Sequence, residues 1–416
     1  MMNAYLVGGA VRDILMGRAA QDQDWVVVGS TPEQMLELGF LPVGRDFPVF
    51  LHPQTREEHA LARTERKTGR GYRGFAVCAD PSVTLEEDLG RRDLTINAIA
   101  VDDTDHLVDP FGGQADIENK VLRHVRAQSF VEDPVRVLRL ARFAARYTDF
   151  QVAGETLQLC QAMVAEGELD HLVAERVWQE LAKGLMEPKP SRMFEVLREC
   201  GALRVLLPEL DALWGVPQPA AHHPEVDTGV HVMMALDLAA QEGASLEVRF
   251  AVLTHDLGKG LTPADVLPAH HGHEAAGVPL VQAVAQRLRV PRHCEDLAVL
   301  VTREHTHVHR CKSMRNGSVV SLLERLDAFR RPARLHQVVQ ACAFDARGRL
   351  GLSERSYAEG QHLLHAFEAA RSVDVGAVVA QNKDKRFLPE QIHAARTHAL
   401  AHAWAQGQRQ TQASTA

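Results

Sequence analysis

Tyr5-Leu6-Val7-Gly8-Gly9-Ala10-Val11-Arg12-Asp13, followed by Asp22-Gln23-Asp24-Trp25-Val26-Val27-Val28, is the stretch on which the reading of this chain turns. An apolar run enters a glycine pair and a helix-like segment, and a second β-branched run opens on two aspartates. Residues two apart on a strand project to one face, so Asp22 and Asp24 present their carboxylates side by side. Such a pair suits Mg²⁺, a hard cation commonly held by one or two carboxylates together with substrate phosphates. The glycines at the preceding turn allow backbone N–H groups to approach those phosphates. A lone Gly-Gly marks a turn and a lone Asp-x-Asp a solvated strand end, but the two in one short unit describe a nucleotidyl-transfer centre.

This strand, glycine turn, helix and Asp-x-Asp strand resembles the signature of the DNA polymerase beta-type nucleotidyltransferase superfamily. Residues 1–128 alternate short β-like runs with helical ones, which predicts an α/β head. Its expected strands are Tyr5–Val7, Trp25–Val28, Pro48–His52, Glu58–Arg63 and Ile99–Val101. Thr31-Pro32-Glu33-Gln34 combines an N-cap, a proline at the first helical position and a reciprocal Gln, and so predicts a helix start. A neighbouring strand often supplies a third carboxylate to such a site. Glu58 is the candidate here, with Glu57 and Asp46 as competitors.

With 416 residues the chain exceeds a single core, and two to four domains are expected. Hydrophobic content of 45% with only 5% aromatic residues suits a helix-rich globular protein. No run is long and apolar enough to span a bilayer and no signal-peptide pattern opens the chain, so no membrane partner and a cytoplasmic location are expected. The six cysteines form no C-x-x-C pair, which argues against a zinc ribbon and a disulfide framework. A net charge of −8 excludes indiscriminate coating of nucleic acid, though not a local basic track.

Beyond Ser129 the pattern predicts helices and no strand. Glu132-Asp133-Pro134 is expected to open a helix on which Arg136, Arg139, Arg142 and Arg146 recur at three- and four-residue spacing along one face. Upstream, Arg91-Arg92-Asp93-Leu94-Thr95-Ile96-Asn97-Ala98 gathers polar groups able to hold phosphate and ribose. Asp133 and Arg136 suggest how bases are chosen. Cytosine and adenine share an edge with an amine donor beside a ring-nitrogen acceptor, so one carboxylate and one guanidinium match both. The basic, glycine-punctuated loop 63–74 is a candidate cover for the nucleotide or the primer phosphates.

Taken in order, Gly8-Gly9-Ala10-Val11-Arg12-Asp13, Asp22-x-Asp24, the Arg91–Ala98 segment and Glu132-Asp133-x-x-Arg136 closely resemble the class II tRNA nucleotidyltransferases, the CCA-adding enzymes and their poly(A) polymerase relatives. The resemblance implies tRNA, CTP and ATP as partners and Mg²⁺ at Asp22 and Asp24. It implies nucleotide binding by Gly9, Arg12 and Arg92, base reading by Asp133 and Arg136, and Arg139 and Arg142 directed at the triphosphate.

A second site is written in Val248–Lys259, an apolar segment ending in His255-Asp256 and a glycine stop. With His231 upstream and Asp327 downstream, the order is His, His-Asp, Asp, and such ligands from separate helices suit a divalent metal that activates water against a phosphate ester. This order resembles the HD-superfamily phosphohydrolases. His273 and His305 fall where some members carry accessory histidines but are read as ordinary histidines. His270, His271, His307 and His309 are expected to be solvated.

An HD unit behind a class II head is similar to the multifunctional bacterial branch of the CCA-adding family, a likeness spanning about Tyr5 to Arg347. It implies 2′,3′-cyclic phosphodiesterase, 2′-nucleotidase and phosphatase activities, with Ni²⁺ or Mg²⁺ at the HD site and a monomer or homodimer. The expected domains are a head (1–128), a helical neck (129–222) entered into the HD unit by a Pro217-Gln218-Pro219 linker, the HD unit (223–330) and a helical tail (331–416). Other readings are a poly(A) polymerase on the same head, an HD phosphohydrolase with a degenerate head, and a non-catalytic tRNA-binding module.

Overall fold

The computed structural model describes residues 3–20, 23–43, 49–67, 75–220, 223–382 and 384–414, without the side chains of 65–67, 75–78 and 407–414. Two compact units divide the chain, residues 1–206 and 207–416.

In the first unit, β1 (Asn3–Val7) ends at Gly8, whose φ of 71° lies in the left-handed region that favours glycine. A side chain there would also collide with the Arg92 guanidinium, 2.8 Å from an ideal Cβ. The helix Gly9–Leu15 follows, and β2 (Asp24–Val28) returns antiparallel to β1. Next come β3 (Leu41–Val43), β4 (Val49–Leu51), β5 (Glu58–Leu61), the hairpin β6 (Thr64–Lys67) and β7 (Phe75–Cys78), then β8 (Ala100–Val101) and β9 (Leu107–Val108).

The main sheet has the order β3-β4-β5-β2-β1-β8-β9, and β2 and β5 pair in parallel. Side chains alternate across it as the two-residue strand period requires. Val26 joins Val7, Leu89 and Ala100 in one apolar cluster, whereas its neighbour Val27 joins Met35, Phe50 and Leu61 in another. The helix Pro32–Glu37 begins with the expected capping box between Thr31 and Gln34.

The neck differs from expectation in two places. A two-residue strand, β11 (Gln151–Val152), pairs in parallel with β10 (Val121–Leu122), so a β element does occur after Ser129. Asp133 does not open a helix but lies at the junction between the helices Ala127–Glu132 and Arg136–Arg146. Pro134 explains this, because a residue before proline is pushed out of the helical region, and Asp133 sits at φ −127°, ψ 89°. The helix Arg136–Arg146 packs on Ala174–Leu185 and Ser191–Glu199.

In the second unit Asp227 caps the helix Thr228–Gln241 through its side chain. That helix packs with Leu246–Thr254 and Pro332–Arg347, both of which pack on Arg292–Arg310, and His273–Leu288 adds against Arg292–Arg310. Pro217-Gln218-Pro219 is not a free linker. Gln218 is buried and accepts a 2.6 Å hydrogen bond from Lys259 Nζ. The helices Asn316–Arg325, Ala358–Arg371 and Leu388–Ser414 pack together, the last continuing helical beyond Gly407. The five cysteines with described side chains, Cys160, Cys200, Cys294, Cys311 and Cys342, are buried free thiols.

Candidate functional site

In the head, Asp24 is the first residue of β2, and the parallel register sets Glu58 of β5 opposite it. Neighbours in register on adjacent strands project to the same face, so these two carboxylates stand together at the exposed strand ends. Glu57, the competitor, is engaged elsewhere, accepting from Trp25 Nε1 at 3.2 Å and Thr55 Oγ1 at 3.0 Å. Asp22, Asp46 and residues 68–74 of the basic loop lie outside the described residues.

Behind the strand ends lies a network of guanidiniums, each held by an oxygen. Arg12 is buried over the Phe143 and Tyr147 rings and donates to Asp13 at 2.9 Å and to Asn97 Oδ1 at 2.5 Å. Arg92 pairs with Asp88 at 3.3 Å and lies against Gly8. Arg136 donates to the Arg92 carbonyl at 2.9 Å, and Arg139 grips Asp93 through Nε at 2.8 Å and Nη2 at 2.7 Å. Arg142 meets Glu180 at 2.7 Å. Burial alone would raise the Asp93 carboxyl, but Arg139, Asn97 and Arg136 outweigh it and hold Asp93 well below the usual carboxylate range. The arginine stripe is therefore an anchored framework and not a solvated face.

Two members of this framework were absent from the sequence reading. Arg176 grips both oxygens of Asp133, at 2.9 and 2.8 Å, and Glu180 binds Arg142. Their four-residue spacing on the helix Ala174–Leu185 is the signal that places them on one face.

In the second unit, His231, His255 and Asp345 bring their ligand atoms within 4.8 Å of one another, and so do Asp256, His273 and His305. Asp256 lies between the groups, with Oδ2 3.2 Å from His255 Nε2 and Oδ1 3.5 and 3.6 Å from Nε2 of His273 and His305. His273 and His305 thus belong to the cluster and are not incidental histidines. His309 and His270 are not free in solvent either. His309 is 2.7 Å from Asp345 Oδ2, and His270 contacts Thr262 Oγ1 and the Pro217 carbonyl. His271 and His307 are exposed as expected.

Asp327 does not join the cluster among the described residues. It sits past the end of Asn316–Arg325 at φ 54°, its carboxylate turned to Arg330 and Arg331. The carboxylate in the cluster is Asp345, beyond the expected boundary at 330. It lies on the buried face of Pro332–Arg347, with Oδ1 3.1 Å from His231 Nε2. Gly258 brings the elements together, because a Cβ there would collide with the His273 carbonyl.

The donor set fits a divalent metal. Nδ1 of His255 lies 2.7 Å from the Val252 carbonyl, that of His273 2.7 Å from the His270 carbonyl, and that of His305 3.1 Å from the Val301 carbonyl. A carbonyl only accepts, so each Nδ1 carries the proton and each Nε2 turns a lone pair inward. Nε2 of His273 and Nε2 of His305 are 3.1 Å apart, a repulsive arrangement unless a cation or proton lies there. Both Asp256 oxygens and His255 Nε2 are buried without a well-aligned hydrogen bond, although Lys259 Nζ is 2.7 Å from Asp256. Burial opposes charge on His255, yet Asp256 and Asp345 beside it raise its affinity for a proton, and burial pushes His305 down to about 3. Glu225 lies 3.0 Å from His231 Nδ1 and orients that ring from outside.

A sheet-based head with an anchored arginine framework, followed by helices and a second unit with a buried His-Asp cluster, defines the class: a polymerase-type nucleotidyltransferase joined to an HD unit. The Poly A polymerase head domain family matches residues 4–123, the probable RNA- and SrmB-binding site of polymerase A matches 149–213, and the HD domain family matches 228–346. The chain belongs to the multifunctional CCA protein family: the Acidovorax sp. (strain JS42) member is 60% identical over 416 residues, covering 97% of this chain and 98% of that one. The chain is accordingly an enzyme, a nucleotidyltransferase carrying an HD domain.

Two solved structures share the fold. The Bacillus stearothermophilus CCA-adding enzyme in complex with CTP superposes with a TM-score of 0.66 at 21% identity, over 100% of this chain and 95% of that one. The Thermotoga maritima CCA-adding enzyme complexed with tRNA gives 0.62 at 21% identity, over 97% and 91%. Among the described residues no helix is long and apolar enough to cross a membrane.

Proposed function

We propose that the head completes and repairs the 3′-terminal CCA of tRNA from CTP and ATP, releasing pyrophosphate. The observation that carries this reading is the carboxylate pair Asp24 and Glu58 in register beside the anchored arginine framework. Asp22, Asp24 and Glu58 are the residues we assign to Mg²⁺, which supplies activation of the attacking hydroxyl and neutralisation of the leaving pyrophosphate when bound. The Gly8-Gly9 turn, Arg12 and Arg92 orient the triphosphate, with Arg139 and Arg142 behind them. Asp133 accepts from the exocyclic amine of cytosine or adenine while Arg136 donates to the ring nitrogen, so side chains take the place of a template. Incubation with tRNA lacking CCA and all four nucleotides, followed by sequencing of the 3′ end, tests the reading. Addition ending at CCA supports it, whereas a run of adenylates would favour a poly(A) polymerase.

For the second unit we propose hydrolysis of 2′,3′-cyclic phosphodiesters, 2′-nucleotides and phosphomonoesters. His231, His255, Asp256 and Asp345 are the residues we assign to a divalent metal, Ni²⁺ or Mg²⁺, with His273 and His305 facing Asp256 from the other side. Such a metal supplies an activated water at neutral pH. The fixed Nδ1–H bonds keep the imidazoles in one tautomer, and Lys259, tied to Gln218, holds a positive charge beside Asp256.

A further inference from the structure

The cavity of about 450 Å³ in front of the HD cluster, lined by Lys259, His273, His305 and Asp345, runs into a second one of about 400 Å³. Both share His223, Thr306, His309, Arg310 and Arg349 as walls, so they form one cleft. The cluster explains the first cavity; the second extends beyond His223 and His309, away from Asp256, His273 and His305. In a chain of net charge −8 its wall is cationic, with Arg310, Arg347, Arg349 and Arg355 against the single carboxylate of Glu359.

These arginines differ in what they already hold. Arg347 is committed to Glu242 and the Ser353 carbonyl, and Arg349 to Asp345. Arg310 and Arg355 are exposed and, among the described residues, have no side-chain hydrogen bond or ion pair. The second cavity is also wired to the first. Tyr357 Oη is 2.9 Å from His309 Nδ1, and His309 Nε2 is 2.7 Å from Asp345 Oδ2. Two uncommitted guanidiniums beside a phosphate-ester site match a second phosphate, because arginine recognises phosphate through paired, charge-assisted hydrogen bonds.

We infer that the Arg310–Arg355 cavity binds the phosphate on the 5′ side of the reacting ribose, so that the HD site acts on the 3′ ends of ribonucleotide chains and not chiefly on mononucleotides. The inference rests on the proposed phosphodiesterase reading of the cluster. In that reaction water adds across one ring P–O bond of a terminal 2′,3′-cyclic phosphate: its oxygen joins phosphorus and a proton passes to the departing ribose oxygen, leaving a monoester. The upstream phosphodiester is unchanged and serves only as a handle.

The full-length protein, loaded with Ni²⁺ or Mg²⁺, is assayed with a nucleoside 2′,3′-cyclic phosphate and with a ribodinucleotide ending in one. The dinucleotide is expected to have a kcat/KM at least about tenfold higher, mainly through KM, as one or two charge-assisted bonds provide. Arg310→Ala with Arg355→Ala should bring the dinucleotide to the mononucleotide's level and leave the mononucleotide and CCA addition unchanged, while Arg→Lys at both should restore part of the preference. Equal kcat/KM for the two substrates, or a preference that survives the double substitution, overturns the inference. If neither ester is hydrolysed, the phosphodiesterase reading falls instead. Labelling by an arginine-directed reagent then decides the cavity: protection of Arg310 and Arg355 by the dinucleotide but not the mononucleotide supports it, and equal labelling removes it.

Discussion

Arg176 meets Asp133 in a two-pronged ion pair, with Nη1 and Nη2 at 2.9 and 2.8 Å from the two carboxylate oxygens. Asp133 lies in the break between two helices, where its own backbone does little to aim it. An ionised carboxylate offers about four acceptor positions, so two remain for a base amine after Arg176 has taken its pair. Removing Arg176 frees Asp133 to rotate away from Arg136. Arg176→Ala is expected to lower discrimination of CTP and ATP against UTP and GTP by roughly tenfold or more, with Arg176→Lys retaining part of it. Single-nucleotide incorporation on truncated tRNA measures this, and unchanged selectivity would count against the orienting role.

Exchanging the partners at the base edge is a stronger test. Asp133→Arg combined with Arg136→Asp should relax or invert the preference towards G and U at reduced rate. A folded double variant with ordinary CTP and ATP selectivity would sink the base-reading assignment.

At the strand ends, Asp24→Ala should abolish incorporation of C and A alike while the protein stays folded, because exposed carboxylates without their metal repel one another. Glu58→Gln should lower incorporation by about a hundredfold and weaken the response to Mg²⁺, whereas Glu57→Gln should leave the Mg²⁺ response intact. Titrating Mg²⁺ against incorporation rate separates the two glutamates.

The HD unit distinguishes two aspartates of the same type. Asp345→Asn should eliminate phosphoester hydrolysis and weaken binding of Ni²⁺ measured calorimetrically, with CCA addition retained. Asp327→Asn should keep hydrolysis and metal binding, and change stability by no more than about 0.5 kcal/mol, as expected of a partly exposed side chain. Chelation should remove hydrolysis from the native protein and added Ni²⁺ or Mg²⁺ should restore it.

Asp93 gives a pH-dependent expectation for stability. Its carboxyl is held well below the ordinary value of about 4 in the folded head and returns to that value on unfolding. A group depressed by folding stabilises the protein fully above its unfolded pKa, and this stabilisation is lost as pH falls below it. Asp93→Asn removes the buried carboxylate from a half-buried Arg139 that still has Glu180 3.9 Å away, and should cost about 1–3 kcal/mol at neutral pH. In urea unfolding the gap between native protein and Asp93→Asn should shrink as pH drops below about 4, and a gap independent of pH would contradict the role.

Local chemistry made the head and the His-Asp pair legible. The Thr31 capping box, the Gly8 turn, the two-residue alternation of Val26 and Val27 and the adjacency of His255 and Asp256 all express rules that act over a few residues. Convergence of distant segments is not written that way. Asp327 and Asp345 follow the His-Asp pair in the same order and offer the same carboxylate. Only packing sends one to Arg330 and Arg331 at a helix end and the other into a buried cluster. A partial trace of Asp345 did exist, since it continues the buried stripe Leu335, Val338, Cys342 at helical spacing. His273 and His305, 32 residues apart, needed the close approach at Gly258 and the pairing of their helices before their nitrogens could face each other. Spacing alone determined which residue types the sites use. The tertiary structure decided which copies of them meet, because a ligand cluster depends on where helices cross and on which side chains that crossing buries.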